Sequence, residues 1–526
     1  MSKRCLRLGT SGVHSIRALL VYVLLLGVLL AVYWPTLEYG PVIDDPAQIE
    51  WVQGFDSYSE VFGMDATRLY RPVKNIAFYF FARDGELFDL RVASLMIFSA
   101  FGAAYYFFAC RFMKPPWAFF SACLLVLHPA QVASVVFPSA INNIFSAVFI
   151  VLFCATAAEF LMGNYGYRLA LPLLVVFGLL ALFGYELGVV VVPLSVLLVL
   201  YHRRSAGVPR SVCLIVLSLV LLGTYLIVRG DQNAITEMAH LMIPPSASDL
   251  DLFCSAPYYT LKHLQMALIP FGHGGMLLVD DPRGSFLFEL PYWIFLATLL
   301  LLALWLLERR RSRVAFGLLF FIFAMTPLSN WIPLRNGPIT NYYLLLPLCG
   351  LALVTGVVFE RLSVSVRPRI ILLAGAVLLG VSAICGSYRA SWWDSQYSLY
   401  ELTVKNYPEN WLAWNNWGVT LVSRGEGELA LGAFKKSEEL AEWYVEPFEN
   451  RMWLLLLMGH RSDVVQLVEA RDGKLTPGLV AALAIAYLEE KDWVRGRHWA
   501  EQVDPGRLKP NQALWLERSL TGSEAR

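Results

Sequence analysis

The feature that most constrains this chain is a series of apolar runs, each long enough for a helix that crosses a membrane. A hydrocarbon core of roughly 30 Å needs about 20 helical residues. Eleven such runs lie near 17–34, 91–112, 117–137, 142–162, 168–183, 186–201, 211–229, 291–308, 314–331, 342–359 and 369–386. The composition agrees, because 57% of the 526 residues are hydrophobic, 16% are charged and the mean hydropathy is +0.54. The sequence therefore predicts an all-α polytopic protein of the lipid bilayer.

The basic residues between these runs indicate an orientation. If the spans alternate from a cytoplasmic N-terminus, every basic cluster falls on the same side of the membrane. The clusters lie at 3–7, 111–114, 203–210, 308–313 and 361–369. The positive-inside rule then predicts a cytoplasmic N-terminus and an extracytoplasmic C-terminal region. The net charge of +1 gives no field that would attract nucleic acid. No N-x-S/T sequon occurs, which favours a bacterial plasma membrane over the endoplasmic reticulum.

Two domains are predicted, because the pattern changes after residue 386. Residues 1–386 form the membrane domain, with a first outer loop at 35–90, and residues 387–526 form a polar helical tail. The stretch "WLAWNNWGVTLVSRGEGELALGAFKKSEELA" alternates large and small residues as tetratricopeptide repeats (TPR) do. The residues at these positions are Trp414, Trp417, Gly418, Leu421, Ala430, Phe434 and Ser437, with a second match at Leu483, Ala484, Tyr487, Gly496 and Ala500. The tail is therefore expected to be either a peptide-binding repeat domain or a helical cap without a ligand.

Two adjacent acids stand out in the first outer loop, within "YGPVIDDPAQIEWVQG". Asp44 and Asp45 follow the first apolar run directly, and Pro46 is expected to keep Asp45 out of a helix. The same loop carries Arg71 in "RLYRPVKNIAFYFFARDG", so acidic and basic side chains lie in one outer loop. The alternative is that the two acids merely cap the loop and pair with an arginine.

Four further polar residues lie within or beside the apolar runs. His128 and Glu186 are ionisable groups near membrane depth, where such groups are costly and often functional. Arg335 is a cation suited to binding an anion, and Tyr342 follows it in "NWIPLRNGPITNYYLLLP". The structural alternatives are a core histidine bonded to a backbone carbonyl for His128 and a helix turn held by Glu186.

In this order, the motifs resemble those of GT-C glycosyltransferases, and among them the transmembrane and tetratricopeptide repeat family of protein O-mannosyltransferases. The stretches that carry the resemblance are "IDDPAQI", "YRPVKNIAFYF", "LHPAQVASVVFPSAINNIFSAVF", "GYELG", "NYYLLLP" and the terminal repeats. The chain departs from the family pattern at Tyr185, at Thr340 with Asn341, and at Arg91. These departures leave the sugar and the acceptor open.

The resemblance implies an enzyme that takes a sugar from a polyprenyl or dolichyl phosphate and transfers it to a hydroxyl group with inversion. Asp44 would be the catalytic base beside Asp45. Residues implied in binding the donor phosphate or substrate are Arg71, His128, Glu186, Arg335 and Tyr342. No metal ligands are expected from the cysteine spacing, although a divalent metal is left open.

The acceptor is the least constrained part of this prediction. Tetratricopeptide repeats often bind extended peptides, which favours a protein serine or threonine bound by the tail. Two alternatives remain: a GT-C enzyme that modifies a cell-envelope glycan or lipid, and a membrane scaffold with no enzymatic activity.

Overall fold

The computed structural model describes residues 11–67, 69–229, 248–269, 277–278, 286–310, 312–329, 339–471 and 475–524. The chain divides into two compact units, Met1–Leu399 and Tyr400–Arg526, whereas the sequence pattern places the boundary after residue 386. The turn Ser391–Trp393 belongs to the first unit, where Trp393 is buried and its ring centroid lies 5.9 Å from that of Phe137.

In the described part of the first unit, the regular structure is helical apart from one two-residue strand pair. Its helices are α1 (Ser11–Tyr33), α2 (Asp45–Gln53), α3 (Pro72–Phe81), α4 (Phe88–Ala109), α5 (Pro115–Leu127), α6 (Val132–Val136), α7 (Ile141–Met162), α8 (Tyr167–Gly184), α9 (Val191–His202), α10 (Val208–Arg229), α11 (Asp249–Leu268), α12 (Phe286–Arg310), α13 (Arg313–Met325), α14 (Leu348–Ser365), α15 (Pro368–Ala390) and α16 (Gln396–Asn406), which runs past the unit boundary. Strands β1 (Leu277–Leu278) and β2 (Ile339–Thr340) pair antiparallel.

Each of the eleven predicted runs corresponds to helical structure. Within the described residues, eight helices are long and apolar enough to cross a membrane, and α5 with α6 forms a ninth span if the bent pair counts as one. Two shorter apolar segments, Glu186–His202 and Arg313–Leu328, correspond to the remaining runs. The prediction of an all-α polytopic membrane protein is confirmed.

Helix packing in this unit depends on small residues where two helices approach closely. A Cβ atom added to Gly317 in α13 would lie 2.6 Å from the backbone oxygen of Gly350 in α14. The reverse is also true, since a Cβ on Gly350 would lie 2.3 Å from the oxygen of Gly317. Because neither glycine has a side chain, the two helix backbones can contact each other directly, as is typical of helix pairs in membranes.

The run predicted at 117–137 is broken in the structure. Helix α5 ends at Leu127, and the chain turns by 50° before the helical segment Pro129–Val136. Pro129 has no backbone N–H and disfavours helical geometry at the preceding residue, and His128 has an extended backbone (φ −62°, ψ 128°). The apolar pattern alone did not reveal this break.

The expectation that Pro46 holds the aspartate pair in an extended conformation is wrong. Helix α2 begins at Asp45 with Pro46 in its first turn, and Asp44 also has a helical backbone (φ −85°, ψ −12°). Proline suits a first helical turn because the N–H it lacks would have no intrahelical partner. The pair therefore opens a helix.

The first loop folds as a small domain with its own apolar core. This core is formed by Ile49, Val52, Phe55, Val61, Ala77, Phe78, Ala82, Leu87, Leu90 and Ile141. All but one of these residues come from the loop or the start of α4, and Ile141 begins α7. The core thus fixes α2 and α3 against the start of α7, where the candidate site lies.

The second unit consists of successive helices that pack on their neighbours in sequence. They are α17 (Trp411–Ser423), α18 (Gly427–Leu440), α19 (Glu446–Leu457), α20 (Arg461–Glu469), α21 (Pro477–Glu489), α22 (Trp493–Ala500) and α23 (Pro510–Glu524). Of the small residues predicted at helix crossings, Gly418 is buried against the ring of Phe434, and Gly496 lies against Leu488. The helical hairpins suit a tetratricopeptide-like unit, and that assignment stays a prediction.

Candidate active site

A small pocket of about 70 Å³ in the first unit brings together residues from distant parts of the sequence. It lies where the beginning of α2, the beginning of α3, the beginning of α7, the end of α8 and the turn Asn341–Leu344 meet. The pocket is lined by Ile43, Asp44, Arg71, Lys74, Phe137, Ser139, Ala140, Asn142, Asn143, Tyr185 and Tyr342. Three of the predicted site residues, Asp44, Arg71 and Tyr342, therefore share one cavity.

The two adjacent aspartates have different surroundings. The carboxylate of Asp44 is half-buried and makes no hydrogen bond or ion pair with any of the described residues. Asp45 is fully buried, and its Oδ1 accepts hydrogen bonds from the backbone N–H of Ser139 at 3.1 Å and from its hydroxyl at 2.7 Å. Its Oδ2 accepts from the N–H of Val42 at 3.1 Å. Asp45 thus connects the segment before α2 to the turn before α7, while the carboxylate of Asp44 stays without a partner among the described residues.

The pKa of Asp45 follows from this burial. Removal from water raises the pKa to about 6, despite the opposing effect of the hydrogen bonds from Ser139 and Val42 and of the charge on Arg91. The hydrogen bonds to Asp45 therefore offset only part of the free energy that burial of its ionised carboxylate costs.

Two cations at the start of α3, Arg71 and Lys74, line the pocket and form ion pairs with a buried acid. Lys74 Nζ lies 3.2 Å from Asp65 Oδ2, and Arg71 Nη1 lies 3.7 Å from the same oxygen. Burial opposes ionisation of Asp65, but the charges of Lys74 and Arg71 and the hydrogen bonds from Thr67 and Leu69 outweigh it, so the pKa of Asp65 is below its usual value. Asp65 therefore stays ionised and fixes both cations in place.

Glu186 connects Arg71 to a second arginine. Its Oε1 lies 3.3 Å from Arg71 Nε and 2.8 Å from Arg229 Nη2. The guanidinium of Arg71 also lies 5.0 Å from the ring centroid of Tyr185. Among the described residues, Arg71, Lys74 and Arg229 form ion pairs with Asp65 and Glu186. The third positive charge is offset by the carboxylate of Asp44, which lines the same pocket without an ion pair of its own in the described part of the chain.

The residue before Asp44 has a strained backbone. Ile43 has φ of 59°, a left-handed value that a β-branched residue rarely adopts. The surrounding segment is held firmly, because Arg91 donates hydrogen bonds to the carbonyl oxygens of Gly40 and Val136, each at 2.8 Å. Arg91, one of the departures from the family pattern, thus connects the segment before Asp44 to the end of α6.

His128 lies in another part of the first unit. Its Nδ1 accepts a hydrogen bond from the N–H of Ala130 at 3.2 Å, which assigns the proton to Nε2, and Nε2 donates to the carbonyl oxygen of Ala267 at 2.9 Å. It lines a mostly apolar cavity of about 250 Å³ between α5, α11, α14 and α15. Its contacts match the structural alternative, and it does not line the pocket of Asp44.

Arg335 lies outside the described residues, so its predicted role in phosphate binding stays a prediction. Among the residues that are described, no group of three or more histidine, cysteine, aspartate or glutamate side chains is placed to hold a metal ion.

Sequence reasoning missed several residues of the pocket. Lys74 lies one helical turn from Arg71, and this spacing could have signalled a shared face. Asn142 and Asn143 lie in "LHPAQVASVVFPSAINNIFSAVF", a stretch that supports the family resemblance but assigns no role to either asparagine. Asp65 had no sequence signal, because its role depends on the fold of the loop.

Comparisons with known proteins give little further constraint. No family model matches the chain, and no curated protein matches it. The structure is similar to the crystal structure of ArnT from Cupriavidus metallidurans bound to undecaprenyl phosphate, at 15% identity and a TM-score of 0.41. The match covers 89% of this chain and 82% of that chain. A likeness this loose does not equate individual residues, so the candidate site rests on its own geometry.

Proposed function

We propose that this protein is a membrane glycosyltransferase that moves a sugar from a polyprenyl phosphate to a hydroxyl group. One observation carries the proposal: the carboxylate of Asp44 has no partner among the described residues, yet it shares a pocket with the cations Arg71 and Lys74. A free base beside a cationic surface is what transfer from a phosphate-linked donor needs.

The reaction assigns a task to each group. A hydroxyl is a weak nucleophile at neutral pH, so Asp44 takes its proton as the oxygen attacks the anomeric carbon. The bond from that carbon to the phosphate oxygen breaks in the same step, which inverts the anomeric centre. Negative charge grows on the departing polyprenyl phosphate, where Arg71 and Lys74 stabilise it.

The donor also has to fit between the elements around the pocket. The pocket measures about 70 Å³, well below the roughly 300–1,000 Å³ of typical small-molecule sites. We therefore expect the pocket to widen when a phosphosugar binds. Glu186 is suited to this change, because a donor phosphate could replace its carboxylate as the partner of Arg71. Tyr185 and Tyr342 would then line the widened space.

The acceptor in this proposal is a protein serine or threonine, bound by the helical hairpins of the second unit. The predicted orientation puts the aspartate loop and the tail outside the cytoplasm, and we propose the bacterial plasma membrane as the location. The alternative acceptors are a glycan or lipid of the cell envelope.

The function is tested with the purified full chain in lipid nanodiscs. Undecaprenyl phosphates that carry mannose, glucose or galactose serve as donors, and envelope proteins from a host lacking the gene serve as acceptors. We expect release of undecaprenyl phosphate from at least one donor and a hexose mass increment on serine or threonine peptides. Absence of release from every donor would reject the proposed reaction, and transfer only to glycan or lipid would reject the protein acceptor.

A truncation separates the role of the tail from that of the pocket. A chain without residues 410–526 should still hydrolyse the donor slowly, because the pocket lies wholly within the first unit, but it should no longer modify protein. Undiminished protein modification by a correctly inserted truncation would contradict acceptor binding by the tail. Loss of both activities would indicate instead that the tail only stabilises the membrane unit.

A further inference from the structure

The pocket contains a buried amide with no use in the mechanism described so far. Asn142 is 1% exposed and lies in the first turn of α7, lining the same pocket as Asp44 and Arg71. Neither its Nδ2 nor its Oδ1 has a hydrogen-bond partner among the described residues. A buried amide without partners loses its hydration and gains nothing in return, so such groups are rare in folded proteins.

The buried amides that support the first loop differ from Asn142, because their side chains are hydrogen-bonded. Gln48 Nε2 donates to Asn75 Oδ1 at 2.9 Å, and Gln48 Oε1 accepts from the N–H of Ala66 at 3.2 Å. Asn75 Nδ2 in turn donates to the carbonyl oxygens of Gly63 and Met64, each at 3.1 Å. The fold thus pairs the amides that support the loop, whereas the buried amide of Asn142 at the cavity has no partner among the described residues.

The chemistry of the amide indicates what would satisfy it. An asparagine side chain presents two donors and an acceptor side by side. A phosphate has only acceptor atoms when ionised, so it would leave Oδ1 unpaired, whereas Arg71 and Lys74 offer donors alone and already suit that group. Neighbouring hydroxyl groups of a sugar ring can donate to Oδ1 and accept from Nδ2 at once.

We infer that Asn142 binds ring hydroxyl groups of the transferred sugar and thereby determines which hexose the protein accepts. This inference rests on the proposed function and adds to it a division of the pocket. Arg71 and Lys74 bind the phosphate, Asp44 faces the acceptor, and Asn142 forms hydrogen bonds to the sugar. Sites that pair a substrate hydroxyl with a buried polar group discriminate strongly against analogues that lack it.

The test compares ligands with and without a sugar on Asn142→Leu and Asn142→Asp. The probes are undecaprenyl phosphate and its mannose, glucose and galactose conjugates, bound to the full chain in nanodiscs. Leucine has a similar size and removes the unpaired atoms, so this variant should be at least as thermally stable as the wild type. We expect Asn142→Leu to lower the affinity for the preferred sugar conjugate about tenfold or more. The affinity for undecaprenyl phosphate should stay unchanged.

A deoxy series identifies the hydroxyl group involved. The wild type should lose affinity when one particular ring hydroxyl is removed from the preferred donor, and Asn142→Leu should be indifferent to that same removal, as expected for two groups that contact each other. The aspartate variant keeps the acceptor and loses the donors, so it should retain part of the discrimination. Ser134→Ala is the control, because Ser134 Oγ is also buried with no hydrogen-bond partner in the described part of the chain but lies outside the pocket. It should not change any affinity.

The outcomes are separable. An equal loss of affinity for undecaprenyl phosphate and for the sugar conjugate would overturn the inference, since it would mean a phosphate contact or a structural role. Unchanged sugar affinity in Asn142→Leu would also overturn it while leaving the proposed function intact. Failure of the wild type to bind any of the probes would reject the proposed function, and the inference with it.

Discussion

At the scale of single residues, the two aspartates illustrate how neighbours in sequence acquire different tasks. Asp45 accepts three hydrogen bonds in a fully buried position, whereas the carboxylate of Asp44 accepts none from the described residues. Both carboxylates were visible in the sequence as candidates. The sequence did not show which of the two would be hydrogen-bonded, because that depends on Ser139. The fold brings Ser139 to Asp45 from the turn after α6.

The raised pKa of Asp45 predicts a pH dependence of stability. Its pKa of about 6 in the folded protein exceeds the value of about 3.9 in an unfolded chain. The folded state therefore binds the proton more tightly, so the contribution of Asp45 to stability is fully present below about pH 4 and is lost as the pH rises through 6. A shift of about two units corresponds to about 3 kcal/mol.

Thermal unfolding in nanodiscs between pH 4 and 7.5 measures this effect. The stability of the wild type relative to Asp45→Asn should decline across that range, because asparagine does not titrate. Asp56→Asn is the control, since Asp56 is exposed in the same loop, and its curve should follow that of the wild type. Parallel curves for the wild type and Asp45→Asn would contradict the assignment.

At the scale of elements, the break between α5 and α6 gives His128 a structural role. His128 satisfies the N–H of Ala130 and the carbonyl oxygen of Ala267, so it joins the broken span to α11. We expect His128→Leu to lower stability by about 1–3 kcal/mol, because both backbone groups lose their partner, while KM for the donor stays unchanged. Thr355→Val in the same cavity is the control. Unchanged stability with a strongly raised KM would restore the phosphate-binding role expected from the sequence.

The helical hairpins of the tail depend on close packing at small residues. A Cβ on Gly418 would lie 2.5 Å from the ring of Phe434, whereas a Cβ on Gly432 would meet nothing within 4 Å. Gly418→Ala should destabilise the tail by about 1–3 kcal/mol, and Gly432→Ala should stabilise it by about 0.5–1 kcal/mol. The rate of limited proteolysis within 400–526 of the full chain reports both changes. Equal effects of the two substitutions would argue against interlocked hairpins.

Periodicity and length predicted most of the elements, because a membrane span and an amphipathic repeat each leave a signal within one stretch of sequence. The bend at His128 and the helical start at Asp45 escaped this reasoning. Both are set by how proline fits a helix end in its tertiary surroundings, so local preference alone pointed the wrong way at Asp45.

At the scale of the whole molecule, the predicted orientation remains to be measured. Reporter fusions after Arg203 should report the cytoplasm, and fusions after Gly54 and Asn415 should report the opposite side, because the basic clusters all fall on one side. A cytoplasmic signal after Gly54 would separate the aspartate loop from an extracytoplasmic donor. A cytoplasmic signal after Asn415 would rule out an extracytoplasmic acceptor bound by the tail.

The candidate site could be predicted only in part, since a pocket is a property of the whole fold. Asp44, Arg71 and Tyr342 were predicted as site residues from the resemblance that their motifs carry, and the fold brings them together. Lys74 and Asn142 were in quoted motifs but lacked an assigned role, because nothing in a sequence tells which of several polar residues will face a common cavity. Asp65 and Arg229 do not line the pocket, and they influence it through ion pairs with Lys74 and with Glu186.

The central claim is that Asp44 is the base of a sugar transfer, and the rate of transfer by Asp44→Asn tests it most directly. Asparagine keeps the shape of the side chain but cannot take the proton, so transfer from the preferred donor should fall by about a hundredfold or more. Donor binding and thermal stability should stay close to those of the wild type, and Asp56→Asn should transfer at the wild-type rate. Transfer by a folded Asp44→Asn variant at more than about a tenth of the wild-type rate would contradict the account.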